Sequence, residues 1–130
     1  PTEEITEMSK RAWNFSGQFT TPDGKTFPLV QWAGVPAAID NPYGDTMPAN
    51  VVAHRSNGRH LLVRRAHRKL APGCSRGDQD WICKPDPDGD LKVFTWRDKI
   101  GHYVQSGYGC RNAIKLSPIG EYRCYYVWEF

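Results

Sequence analysis

The sequence lacks any apolar run that approaches the roughly 20 residues of a membrane-spanning helix, and no segment resembles the apolar centre of a signal sequence. None of its four cysteines belongs to a C-x2-C pair, the spacing that is typical of structural zinc sites. Its net charge of +3 is small for a protein dedicated to nucleic acid, where affinity comes mostly from phosphate neutralisation. We therefore expect no membrane span, no bound metal and no cofactor.

The chain has 130 residues, and a moderate share of them, 39%, is apolar. This length and composition predict one globular domain that covers residues 1–130. The chain begins at Pro1 without a methionine, which favours a mature form from which an export signal has been removed. We therefore expect a secreted, extracellular protein.

Four cysteines in a short exported chain are typical of a disulfide framework. They are Cys74, Cys83, Cys110 and Cys124, and they allow three pairings. Short loop closure favours Cys74 with Cys83 and Cys110 with Cys124, and each bridge would contribute about 2 to 4 kcal/mol to stability. The triplet that begins at Asn14 is an acceptor for N-glycosylation, which agrees with export.

The first 13 residues follow a helical pattern. Thr2 stands at the N-cap position, and Ile5, Met8, Ala12 and Trp13 fall on one stripe at helical spacing. Such a stripe must be buried against another part of the protein. The segment therefore predicts an N-terminal helix with one buried face.

Turn signals divide the rest of the chain into strands. Pro22-Asp23-Gly24 predicts a hairpin over residues 14–32, and Asn57-Gly58 predicts a second hairpin. Residues 33–49 hold three prolines and two glycines and are predicted to be a long loop. Later strands alternate polar and apolar residues up to the C-terminus. The predicted fold class is α+β, an antiparallel β-sheet with one N-terminal helix packed on it and stapled by disulfides.

The final segment, residues 121–130, is rich in aromatic residues and alternates between two faces. A strand of this kind at the margin of a sheet would leave its backbone groups free to pair with another chain. We therefore expect that the protein forms a homodimer through an edge strand.

Basic residues and histidines concentrate in the second hairpin. A ribonuclease needs a general acid, a general base and cations near the phosphate, and this segment offers an alternative catalytic set: His60, Arg55, Arg64 and His54. The hairpin register places Arg55 opposite His60 and His54 opposite Leu61, so the two histidines lie on opposite faces. Nucleic acid is a partner only under this alternative.

Two short motifs suggest ligands but match poorly. The run of acids at residues 86–90 has glycine fourth rather than sixth, and Arg97 stands where a calcium loop needs glutamate, so we interpret it as a turn. The sequence CSRGDQDWIC, residues 74–83, holds an Arg-Gly-Asp triplet inside a predicted disulfide ring. We interpret this ring as a staple that orders a long loop.

Aromatic residues make up 12% of the chain, more than a helix and a small sheet need for a core. Sugars are bound by aromatic faces together with planar polar side chains in shallow preformed sites. Residues of both kinds fall close together in three segments, and they form the predicted ligand-binding set: Asp78, Trp81, Trp96, Arg97, Asp98, His102, Tyr103 and Tyr108.

The sequence thus predicts a short, exported chain with few disulfides, many aromatic residues, a sheet-rich fold and a tendency to pair. In these features, over its whole length, it resembles the small secreted lectins of mushrooms and other fungi, although it carries no diagnostic motif of that family. No binding residue is carried over from the resemblance. It implies a carbohydrate-binding protein with a glycan or glycoprotein partner, no catalytic role and a defensive or cytotoxic activity. The alternatives are a secreted ribonuclease and a secreted effector that binds a protein partner.

Overall fold

The computed structural model describes residues 13–29, 33–42, 44–74, 79–106 and 113–126. Within these ranges the chain forms ten strands and no helix. In chain order the strands are β1 Gln18–Thr20, β2 Thr26–Pro28, β3 Val35–Asp40, β4 Thr46–Arg55, β5 His60–Arg65, β6 His67–Leu70, β7 Trp81–Lys84, β8 Leu91–Arg97, β9 His102–Gln105 and β10 Lys115–Ile119.

Six of these strands close into a barrel in the order β10-β3-β4-β5-β8-β9, and every neighbouring pair is antiparallel. Alternate residues of each strand point inward, as the two-residue period of a strand requires. The inward side chains form the main core, with Phe94, Leu61, Val51 and Val63 completely enclosed. The barrel interior is therefore packed with side chains and holds the fold together.

A second, smaller apolar cluster lies on the outside of the barrel. Trp13 covers Val52, Ala53 and Leu62, and Val93 packs beside them. The ladder between β4 and β5 shifts register between Val51 and Ala53, so two consecutive residues of β4 face Leu62. This bulge places Val52 under the Trp13 ring.

Two hairpins stand outside the barrel. The β1–β2 hairpin lies against the turn between β4 and β5, where Gly58 has φ +82° and its backbone touches that of Thr20. A β-carbon on Gly58 would lie 2.1 Å from the Thr20 carbonyl oxygen, so this close approach requires glycine. The β6–β7 hairpin supports the C-terminal segment, residues 122–126.

The α+β class predicted from the sequence is wrong for the described part of the chain, which is all-β. The predicted helix falls almost entirely on residues 1–12, outside the described residues; Trp13, at its end, is buried without helical structure. The antiparallel pairing was predicted correctly, but the sheet closes on itself instead of being covered by a helix. Among the described residues, no helix is long and apolar enough to cross a membrane.

The predicted disulfides are also contradicted, because Cys74, Cys83 and Cys124 are free thiols. Cys110 lies outside the described residues. Cys83 pairs with Arg68 in the β6–β7 ladder, whereas Cys74 follows the end of that ladder at Ala71. Three residues of strand, about 10 Å, separate Ala71 from the level of Cys83, so the ladder does not bring Cys74 and Cys83 opposite each other.

The long loop predicted over residues 33–49 is wrong, because β3 and the start of β4 occupy most of it. Pro36 and Pro48 both lie within strands, although proline cannot donate to a ladder. Their carbonyl groups still accept hydrogen bonds, from Gly120 at 2.7 Å and from Ala66 at 3.0 Å. These contacts exist only after distant strands come together, so local sequence could not reveal them.

Candidate functional site

A cleft at one end of the barrel, here called the barrel-end cleft, brings together residues from one of the three candidate ligand-binding segments, residues 96–103, and residues from outside these segments. It has a volume of about 190 Å³. Its walls come from the β1–β2 turn, the β8–β9 turn and β10, and the residues that line it are Thr21, Asp23, Lys25, Phe27, Trp96, Gly101, His102, Tyr103, Leu116 and Ile119. Aromatic, acidic and basic side chains thus meet in one concave surface.

Two aromatic residues form the floor of this cleft. Tyr103 pairs with Trp96 across β8 and β9, and their rings meet edge to face at 5.1 Å between centroids. Tyr103 is only 2% exposed and donates its hydroxyl to the carbonyl of Gly58 at 2.5 Å. Burial is the main reason that the pKa of Tyr103 is raised above its usual value. Tyr103 therefore supports the cleft, while the half-buried rings of Trp96 and Phe27 line it and are available to a ligand.

Asp98 fixes the orientation of the Trp96 indole. Its carboxylate accepts the indole N–H at 3.0 Å and forms an ion pair with Arg59 at 2.9 Å. The hydrogen bond from Arg59 is the main reason that the pKa of Asp98 lies below its usual value. Asp98 is exposed and orients Trp96, and its predicted contact with a ligand stays a prediction.

The β1–β2 turn supplies the polar wall of the cleft. The buried Thr21 hydroxyl accepts the backbone N–H of Lys25 at 3.0 Å and donates to the Asp23 carboxylate. Gly24, at φ +93°, closes the turn. This network holds Asp23 and Lys25 at the cleft although both are exposed. The Pro-Asp-Gly signal predicted only a turn, and no local pattern indicated that Asp23 and Lys25 line a cleft with Trp96.

The remaining predicted contacts divide between two places. His102 is exposed and lines the cleft, and Arg97 pairs with it across β8 and β9. Trp81 lies on β7, in a different cavity. Asp78 and Tyr108 are outside the described residues.

The cavity that contains Trp81 has a volume of about 240 Å³ and lies between the β6–β7 hairpin and the C-terminal segment. Cys83 and Cys124 both line it, and Arg68 lies over the Tyr126 ring at 4.0 Å. Burial raises the pKa of Cys83 and raises that of Cys124 to about 11. These thiols are therefore protonated at neutral pH and poor nucleophiles.

The alternative ribonuclease set is not assembled as a catalytic site. Arg55 pairs with His60 and His54 pairs with Leu61, so the predicted register is confirmed and the histidines lie on opposite faces. His54 packs against Phe19 at 5.9 Å. Arg64 donates to the carbonyl of Pro87, away from the turn. No second histidine reaches His60 to complete an acid and base pair among the described residues.

A polar cleft of about 370 Å³ contains the acids of residues 86–90 together with Arg65, His67 and Arg68. Because acidic and basic side chains both line this cleft, their charges neutralise one another, and the arrangement does not favour binding of a cation. Asp86 accepts the backbone N–H of Asp88 at 2.9 Å, as expected for a turn. In the described part of the chain, no group of three acidic, histidine or cysteine side chains is arranged to hold a metal ion.

Residues 73–77 have the sequence Gly-Cys-Ser-Arg-Gly. This matches the G-x-S-x-G pattern, which was not among the predicted motifs. In hydrolases this pattern follows a strand and opens a helix, which exposes the serine at a sharp turn. Here it lies between β6 and β7, two strands of one hairpin, and Ser75 is outside the described residues. The structural context of the hydrolase motif is therefore absent from the described part of this hairpin.

Comparisons with known proteins give no family to which the chain can be assigned. The chain matches no protein-family model, no curated protein and no solved structure.

Proposed function

We propose that the protein binds a carbohydrate in the barrel-end cleft. The observation that carries this proposal is the Trp96 indole, which is held rigidly by Asp98 and Tyr103 and flanked by exposed polar side chains. An oriented aromatic ring provides the stacking surface for a sugar ring. Asp23, Lys25 and His102 supply acceptors and donors for its hydroxyl groups.

The size of the cleft agrees with a small ligand. Its volume of about 190 Å³ is below the roughly 300 to 1,000 Å³ of sites that enclose drug-sized molecules. One sugar ring, with the rest of a chain outside, suits this volume and shape. The fixed contacts of Trp96 and the β1–β2 turn also lower the entropy cost of binding, because few groups need to be ordered.

A glycan array followed by titration calorimetry tests the proposal. We expect saturable binding to at least one glycan, with an increase of about fivefold in Kd for His102→Ala and for Lys25→Ala, because each change removes about one hydrogen bond. His67→Ala and Lys69→Ala are matched controls on β6, away from the cleft lining, and should bind within about twofold of the wild type.

The indole N–H resonances provide a second readout that does not depend on substitution. Titration with the bound sugar should shift the signal of Trp96 and leave that of Trp81 unchanged. An array without saturable binding, or unchanged Kd in both cleft variants, would remove the proposal.

A further inference from the structure

A group of cationic side chains lies beside the barrel-end cleft, on the outer face of the barrel. This cationic patch consists of Arg55, Arg59, His60 and Arg97. Arg55 is directly opposite His60, and His60 is directly opposite Thr95, so the three form one row across β4, β5 and β8. Arg97 lies two residues beyond Thr95 on the same face of β8. The residues therefore meet although they come from three strands and a turn.

Contacts within the patch hold its members in place. His60 Nδ1 and the Thr95 hydroxyl are 2.9 Å apart. The Arg55 guanidinium lies 4.3 Å from the centre of the Trp13 ring, which positions the charge without neutralising it. The patch thus presents donors that are already oriented.

Positive charge in the patch exceeds negative charge. Arg59 forms an ion pair with Asp98, but Arg55 and Arg97 form no ion pair with any described residue. Two guanidinium groups therefore remain without a counter-charge. Burial, followed by the charges of Arg55, Arg59 and Arg97, lowers the pKa of His60. The ring of His60 therefore lies in a positive potential, which favours an anion at the same place.

The patch and the cleft form one continuous surface. Asp98 binds Arg59 of the patch and the indole of Trp96 in the cleft. Arg97 of the patch is directly opposite His102, which lines the cleft. A ligand longer than one ring would therefore extend from the cleft onto the patch.

We propose that the ligand is a sulfated glycan, with a sugar ring in the barrel-end cleft and a sulfate group on Arg55, His60 and Arg97; this rests on the proposed carbohydrate function. Guanidinium groups bind oxyanions through two parallel hydrogen bonds. Several donors around one point match the three terminal oxygens of a sulfate ester. A long nucleic acid fits less well, because two unpaired arginines neutralise few phosphates and the chain carries a net charge of only +3.

Calorimetry with a heparin-derived hexasaccharide, and with the same hexasaccharide after complete desulfation and N-acetylation, tests this inference. We expect the sulfated form to bind at least tenfold more tightly at physiological salt. Arg55→Gln and Arg97→Gln should each weaken the sulfated form about fivefold and leave the desulfated form unchanged. Arg123→Gln is the matched control, because it removes the same charge from an exposed ion pair with Glu121, and it should change neither Kd.

The outcomes separate this inference from the function on which it rests. Equal Kd values for the two hexasaccharides, both weakened by His102→Ala, would overturn the sulfate site and support carbohydrate binding. Binding of neither hexasaccharide, together with an empty glycan array, would overturn both. A single-stranded RNA that binds as tightly as the sulfated hexasaccharide, with loss in Arg97→Gln, would also overturn the inference, since the patch would then select phosphates.

Discussion

His60 lies among Arg55, Arg59 and Arg97, and its surroundings decide when its ring carries a proton. Burial and these three charges lower its pKa below the usual value of 6.5. The nearest carboxylate contact of the patch, Asp98, is committed to Arg59. In the folded protein the neutral ring is thus favoured, whereas the unfolded chain takes up a proton near pH 6.5. The free energy of unfolding is therefore higher above pH 6.5. It decreases as the pH falls below 6.5, because protonation of His60 then favours the unfolded chain.

We predict that a histidine ring titration by NMR gives His60 a midpoint below 6.5. Arg97→Gln should raise the midpoint, because one positive charge is removed, and Arg123→Gln should leave it unchanged. Addition of inorganic sulfate should raise it as well, since a bound anion favours the protonated ring. A midpoint at or above 6.5 in the wild type would contradict the charge arrangement described for the patch.

The C-terminal segment is held to the β6–β7 hairpin chiefly by one side chain. Gln79 donates its amide N–H to the carbonyl of Tyr126 at 2.6 Å and accepts the backbone N–H of Tyr126 at 2.9 Å. These two hydrogen bonds take the place of the backbone–backbone pair that a β-ladder would form at Tyr126. The Trp81 ring meets Tyr126 edge to face at 5.5 Å and adds an aromatic contact. In the part of the predicted terminal strand that the structure describes, residues 121–126, the ladder contact is an isolated bridge between Thr46 and Tyr125.

For this element we predict that Gln79→Ala loosens the C-terminal segment. The substitution removes the two hydrogen bonds to Tyr126 and a third that Gln79 accepts from the Trp81 indole N–H at 2.9 Å, each worth about 0.5 to 1.5 kcal/mol. Hydrogen exchange of peptides that cover residues 122–126 should therefore accelerate, and urea unfolding should show a loss of about 2 kcal/mol. Gln18→Ala, at an exposed position of β1, is the control. Identical exchange in the two variants would exclude the role given to Gln79.

At the scale of the whole molecule, closure of the barrel replaces covalent cross-links as the source of stability. The six strands bury a continuous apolar interior, and Cys74, Cys83 and Cys124 remain thiols. Closure also leaves no free edge among the barrel strands, whereas the terminal segment on which the predicted dimer depended is not one of these strands. The homodimer and secretion both stay predictions, and secretion no longer has the disulfide argument behind it.

We predict that a reducing agent leaves thermal unfolding unchanged. A disulfide would contribute about 2 to 4 kcal/mol, so its reduction would lower Tm by several degrees in a domain of this size. With free thiols, circular dichroism melts with and without a phosphine reductant should agree within about 1 °C. A fall of about 5 °C or more would show a cross-link that the structure does not contain. Quantification of thiols in denaturant provides an independent count.

Local signals predicted the parts of the fold that depend on neighbours in sequence. Asn57 and Gly58 have positive φ values of 56° and 82°, so the turn chemistry alone fixed the β4–β5 hairpin and the pairing of Arg55 with His60. The same signals failed at β3 and β4, because prolines disfavour a strand locally and the groups that bond to the carbonyls of Pro36 and Pro48, Gly120 and Ala66, lie farther along the chain. Of the predicted contacts, Trp96 and His102 do line the cleft, since one turn brings them together.

The sequence by itself determined the β1–β2 and β4–β5 hairpins and the pairing of Arg55 with His60, because these follow from turn chemistry and a two-residue period. Only the tertiary structure decided that the sheet closes into a barrel and that Cys74, Cys83 and Cys124 remain thiols. It alone brought Asp23 and Lys25 to Trp96, and Arg97 to His60. Such contacts join segments far apart in the chain, and their geometry depends on how all six strands close.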